Sequence, residues 1–216
     1  MPQLKTLKLI AIDGPPGTGK SALARKLAAQ LNARMVLDQM HDNPYLEKFL
    51  ENQRSYALHT QICSLLSRYK QQAEIAQPDL FHQTTITDYT IIKDEIFAQL
   101  TLSPDEFRLY LHLSSVLIKN FLKPDLVLFL HARSEILKAR LEQQDDSSNN
   151  KLERAFLADL ADSYNTYFFQ YDEAPLLTVE VNDVDLVRQE IDLQPLIEQM
   201  EQLESGHEHF VPHVTD

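Results

Sequence analysis

The chain has 216 residues, 44% hydrophobic and 24% charged, with no apolar run of about 18 or more residues, so it reads as one soluble globular domain without a membrane span. Thirty-two acidic residues against 20 basic ones leave a formal net charge of −12, which opposes a nucleic-acid polymer or an anionic membrane as partner. The single cysteine, Cys63, excludes an intramolecular disulfide and suits a reducing cytoplasm; in its helical run it reads as a buried, inert thiol.

In chain order, residues 7–12 form a short apolar run that predicts a buried strand. The stretch DGPPGTGKS (13–21) follows and holds three of the four glycines of the chain. A helix is expected over 21–31, a second strand over 34–38, and a helix over 54–76 with Ala57, Leu58, Ile62, Leu65, Leu66 and Tyr69 at helical spacing. A third strand is expected over 83–87. Ser103-Pro104-Asp105-Glu106 joins a capping box to a proline at the first helical position, predicting a helix from there to about residue 122. Its apolar residues, among them Phe107, Leu111, Leu113 and Val116, cover much of its circumference, so it is either deeply buried or partly given to a subunit interface. Residues 126–131 and 176–181 predict the fourth and fifth strands, with helices over 134–143 and 151–169 flanking the polar segment QQDDSSNN. Strands alternating with helices predict an α/β three-layer fold on a parallel sheet. The tail 204–216, with three histidines, reads as loosely ordered.

Gly14, Gly19, Lys20 and Ser21 satisfy the pattern G-x-x-x-x-G-K-[ST] between an expected strand and an expected helix, with Gly17 and Thr18 inside the loop. Glycines leave room for successive backbone N–H groups to turn inward around phosphate oxygens, and the following helix adds its positive end. Lys20 is placed to reach the β- and γ-phosphates and the Ser21 hydroxyl to ligate Mg²⁺, so the loop predicts binding of a nucleoside triphosphate. It leaves the phosphate acceptor open.

Further motifs carry a resemblance. Asn43-Pro44-Tyr45-Leu46, Phe49, Arg54-Ser55-Tyr56-Ala57, Gln61 and Arg68 are similar to the deoxynucleoside kinases, and TDYTIIKDEIFAQLTLSPDEFRLY (87–110) resembles the bacterial deoxyadenosine/deoxyguanosine kinase branch, with PDLVLFLHA (124–132) and YNTYF (164–168) at the expected places. The resemblance covers roughly residues 7–190. It implies a nucleoside-monophosphate-kinase-like P-loop fold with a five-stranded parallel sheet, a single kinase domain over 1–203, a lid at about 139–154, and a homodimer built through long helices. It also implies transfer of the γ-phosphoryl of ATP to the 5′-hydroxyl of a small-molecule nucleoside, with Mg²⁺ held by Ser21 and Asp88. On the matching positions Asp38 is the base, Gln61 reads the nucleobase, Lys20 and Arg140 stabilise the transferred group, and Arg68, Asp88 and Lys93 serve the acceptor or phosphate side.

The chain departs from the family pattern in four places. Asp38 is one methylene shorter than the usual glutamate. Tyr89 stands where many relatives have arginine. Leu50 replaces a tyrosine associated with the sugar 3′-hydroxyl. The lid tip is Asp145-Asp146-Ser147-Ser148-Asn149-Asn150, where relatives are arginine-rich. Arg133, Arg140, Lys151 or Arg154 must reach in from neighbouring positions, or the clamp comes from elsewhere, or the enzyme is slow or uses another small acceptor. A catalytically weak nucleotide-binding module is the remaining alternative. AAA-type ATPases also carry GPPGTGK, but the features that follow it in them are missing here.

Overall fold

The computed structural model describes residues 7–77, 79–143 and 154–214. Its elements are β1 (Leu9–Asp13), α1 (Lys20–Leu31), β2 (Arg34–Val36), α2 (Leu46–Glu51), α3 (Gln53–Ile75), β3 (Thr85–Thr87), α4 (Ile92–Thr101), α5 (Pro104–Leu117), β4 (Leu126–His131), α6 (Ser134–Glu142), α7 (Arg154–Phe169), β5 (Leu176–Glu180), α8 (Gln194–Gln202) and β6 (His207–Phe210). The strands form one parallel sheet in the order β2-β3-β1-β4-β5-β6.

Strand alternation sorts the core onto two faces. Ile10, Ile12, Leu126, Leu128 and Leu130 point into the cluster that also holds Leu23 and Leu27 of α1 and Leu196 and Met200 of α8. Ala11, Val127 and Phe129 point the other way, against Ile96 and Phe97 of α4 and Leu160, Tyr164 and Phe168 of α7. This is the expected three-layer arrangement, with side chains one residue apart serving opposite faces. A third cluster, Leu65, Ala98 and Tyr110, joins α3, α4 and α5 outside the second face.

The five expected strands are present, and a sixth joins them. Residues 207–210, expected in a loosely ordered tail, pair in parallel with β5 from Leu176↔His207 to Val179↔Phe210. An edge strand needs no apolar run, and HEHF exposes its first three residues, so periodicity did not mark it. Helices α2, α4 and α8 also go beyond the expected set. The capping box on α5 forms as expected, with Ser103 N–H donating to Glu106 (2.9 Å). That helix buries only Tyr110 and Ser114 among its residues, while Leu109, Leu113 and Val116 are exposed, so it is not the deeply buried helix of the first alternative. Cys63 is half-buried rather than buried. The lid tip 145–150 and Lys151 lie outside the described residues, as do the side chain of Arg154 and most of the expected lid.

Gly14 shows how tightly the loop is tied to the sheet. Its φ is +147°, and a Cβ there would lie 2.5 Å from the Leu130 carbonyl oxygen on β4. Gly14→Ala should therefore cost about 2 kcal/mol or more of stability in urea unfolding, from clash and backbone strain together. Gly206→Ala, at φ +80° with nothing within 4 Å of the added methyl, should cost only about 1 kcal/mol. Equal losses would contradict the packing constraint on the loop.

Candidate active site

The glycine loop leaves β1 and closes on itself before α1. Thr18 Oγ donates to the Pro15 carbonyl (2.8 Å), and Lys20 Nζ donates to the same oxygen (3.1 Å). Gly17 and Gly19 hold left-handed φ of +87° and +88°. Gly19 caps α1 with no side chain on its first amides, the arrangement that suits an anion. Burial, with the like charge of Lys93, brings the Lys20 ammonium down to about 8, against the opposing pull of Asp13, Asp88 and Asp38.

Behind the loop, Asp13 is fully buried. One of its oxygens accepts from Gly14 N–H (2.8 Å) and the other from Thr90 N–H (3.0 Å). It thereby ties the end of β1 to the chain beyond β3. Asp88, just after β3, accepts from the Ser21 hydroxyl with one oxygen and from the backbone N–H of Asp38 with the other (2.6 Å).

Asp38 lies two residues past β2, and two cations hold its carboxylate. Arg68 donates to Oδ1 (2.7 Å) and Lys93 to Oδ2. Burial alone would push this carboxyl up, but Lys93 and Arg68 overcome that and hold it well below the usual carboxylate range. Arg68 is itself fixed: Nη1 donates to Gln71 (3.1 Å), Nε pairs with Asp94 (3.2 Å), and the guanidinium lies 3.9 Å from the Tyr89 ring centroid.

A cavity of about 390 Å³ opens between these parts. Gly17, Gly19, Lys20 and Ser21 line one side, and Asp38, Leu50, Asp88, Lys93, Phe97 and Tyr164 the other. Donor-side and acceptor-side residues expected from the sequence thus share one volume. Of the expected site residues, Gly14, Thr18, Gln61, Arg68 and Arg140 are not in its lining. Gln61 is buried on α3, outside the lining, where its amide donates to Thr101 Oγ (3.3 Å). Arg140 turns to the loop after β5, donating to the carbonyls of Val181 (2.6 Å), Val184 (2.9 Å) and Asn182 (3.3 Å). In this position it pins a loop rather than clamping a phosphoryl group. Arg68 also lies outside the lining and acts on the cavity through Asp38.

A family model described as deoxynucleoside kinase matches residues 10–205. The chain belongs to the deoxynucleoside kinase family. The kinase is 31% identical over 205 residues to a deoxyguanosine kinase of Bacillus subtilis, covering 93% of this chain and 99% of that protein. It is 26% identical over 200 residues to a deoxyadenosine/deoxycytidine kinase of the same organism, covering 89% and 91%. Its fold matches the deoxyadenosine kinase of M. mycoides with bound dATP at a TM-score of 0.74 and 21% identity, over 90% of this chain and 97% of that one. The kinase is accordingly a nucleoside kinase with ATP as phosphate donor.

Sequence reasoning missed Asp13, Asp94, Tyr164 and Val187 as site residues. Asp13 directly precedes the glycine loop and Asp94 follows Lys93, so adjacency was the available signal for both. Val187, which lines the cavity from beyond β5, carried none. Arg68 supplies the test of this electrostatic layer. Arg68→Met would leave the buried Asp94 without its cation and should lower the unfolding free energy by about 3–5 kcal/mol in chemical denaturation. A loss below about 1 kcal/mol would show that the buried pairs are not structural supports.

Proposed function

We propose that the kinase transfers the γ-phosphoryl of ATP to the 5′-hydroxyl of a purine deoxynucleoside, with Asp38 as the base. The observation that carries this reading is the Asp38 carboxylate facing the glycine loop across one cavity, with Asp88 bonded to both sides. The names of the deoxyguanosine and deoxyadenosine/deoxycytidine kinase relatives support a deoxynucleoside acceptor.

In the transfer, the acceptor oxygen forms a bond to the γ-phosphorus while the bond to the β-bridging oxygen breaks and ADP leaves. The hydroxyl proton passes to Asp38. A phosphoryl transfer with a loose transition state keeps the hydroxyl protonated until late, so the carboxylate must orient it more than be strongly basic. That fits an aspartate held ionised by two cations. Lys20 meets the phosphates from the loop, and binding an anion there offsets the burial that weakens its ammonium.

Ser21 and Asp88 would hold Mg²⁺. They present hard oxygens in mutual contact at the mouth of the loop, and this metal takes one or two protein oxygens and completes its shell with water and phosphate. When bound it would neutralise charge on the β- and γ-oxygens. We also read the kinase as a cytoplasmic homodimer. Exposed Leu109, Leu113 and Val116 of α5, beside Leu66 and Tyr69 of α3, support a second copy as their cover. No described helix is long and apolar enough to cross a membrane.

Wild-type protein with Mg·ATP should phosphorylate deoxyguanosine or deoxyadenosine in a panel that includes ribonucleosides and nucleoside monophosphates. Phosphorylation of none of the nucleosides would sink the reading. Asp38→Asn should lower kcat by about 10²–10⁴-fold with ATP affinity nearly unchanged, whereas Lys20→Ala should lose ATP affinity itself. Light scattering should give twice the chain mass, and Val116→Asp should shift it towards the monomer.

A further inference from the structure

Phosphoryl transfer depends on positive charge placed around the moving group. The cations near the cavity are therefore worth following one by one. Lys20 approaches from the glycine loop. Arg25 lines the cavity but is exposed, with its guanidinium turned to the Ser21 carbonyl (3.4 Å). Arg140 is occupied by three carbonyls after β5, and Arg188 donates to Gln143. Arg68 is fixed behind Asp38 by Gln71, Asp94 and Tyr89. Among the described residues, Lys20, Arg25 and Lys93 are the lysines and arginines that line the cavity, and of these Lys93 is the one bonded to Asp38.

The placement of Lys93 is specific. It sits in the first turn of α4, its side chain 11% exposed, with the ammonium 5.9 Å from the Phe97 ring centroid and in contact with Asp38 Oδ2. The other Asp38 oxygen belongs to Arg68. Lys93 lines the cavity and Arg68 does not, so an acceptor hydroxyl reaching Asp38 from the cavity meets the oxygen that Lys93 holds and competes with it there. The displaced ammonium remains tethered by its stem to the cavity wall that Lys20 also lines. Two cations converging on one cavity from opposite sides suit an anion between them.

We propose that Lys93 is a catalytic residue that leaves Asp38 as the acceptor hydroxyl arrives and stabilises the γ-phosphoryl opposite Lys20. The step involves no bond to Lys93. The proton moves from hydroxyl to Asp38, the γ-phosphoryl from ATP to the acceptor oxygen with ADP as leaving group, and Lys93 balances charge on the equatorial oxygens. This assigns to α4 the work that Arg140, turned away, does not do. It rests on reading the cavity as a phosphotransfer site, which nucleoside turnover by the wild type tests separately.

The closing experiment does not require turnover. Binding of Mg·ADP, alone and with beryllium fluoride as γ-phosphoryl mimic, is measured calorimetrically in the presence of the nucleoside that the wild type phosphorylates, for wild type, Lys93→Met and Lys93→Arg. Melting curves serve as the check on folding. Lys93→Met should lose about tenfold in affinity for the fluoride complex, the size of one charge-assisted contact, and nothing for ADP alone. Lys93→Arg should keep most of the preference for the fluoride complex. Equal losses for both ligands, or no loss for either, would overturn the proposal and return Lys93 to a prop for Asp38. A kinetic cycle adds a second reading. In an Asp38→Asn background, Lys93→Met should slow single-turnover transfer by about a further tenfold, whereas a residue that merely positions Asp38 would cost nothing more there.

Discussion

The carboxylate of Asp88 joins two parts of the chain that share no local sequence. One oxygen takes the Ser21 hydroxyl at the start of α1, and the other takes the backbone N–H of Asp38 beyond β2. The sheet order makes this possible. β3 lies between β2 and β1, so a residue at its C-terminal end stands between the two strand ends that carry the donor loop and the base. Ligands of open α/β sheets collect at the carboxyl ends of strands where the winding changes direction. Here the change occurs at β1, with β3 on one side and β4 on the other. Asp13 strengthens the same joint from below, since its two oxygens hold Gly14 and Thr90 together.

Charge at the site runs against the charge of the whole. The net charge of −12 would keep a triphosphate at a distance if it acted uniformly. Lys20, Arg25 and Lys93 line the cavity, however, and its two lining aspartates are occupied, Asp38 by cations and Asp88 by Ser21 and the Asp38 amide. An approaching anion meets carboxylates already bonded to the protein, with cations on the cavity walls. Low-dielectric surroundings make such local arrangements outweigh a distant surface charge that salt screens.

What could be read from the sequence follows the range of the forces involved. Glycines at 14, 17 and 19 answer a local backbone demand, so the loop was legible, as were β1 and β4, where both faces are buried. The α5 capping box is a contact across three residues and appeared as written. Arg68 was visible only as a cation of uncertain use, because its partners Asp38, Asp94 and Tyr89 come from other elements. The bonds of Arg140 were hidden for the same reason: its acceptors are backbone carbonyls after β5, which no spacing announces. β6 escaped notice because an edge strand pairs through its backbone and needs no apolar side chains to do so.

The stack of Arg68 on Tyr89 limits what position 89 can hold. Tyr89 is 2% exposed, and the guanidinium occupies the space over its ring. An arginine at position 89 would bring a second buried guanidinium onto the first, a charge that the ion pairs of Arg68 with Asp38 and Asp94 do not answer. Positions 68 and 89 therefore form one packing unit, in which a change at either place has to be matched by a change around the other.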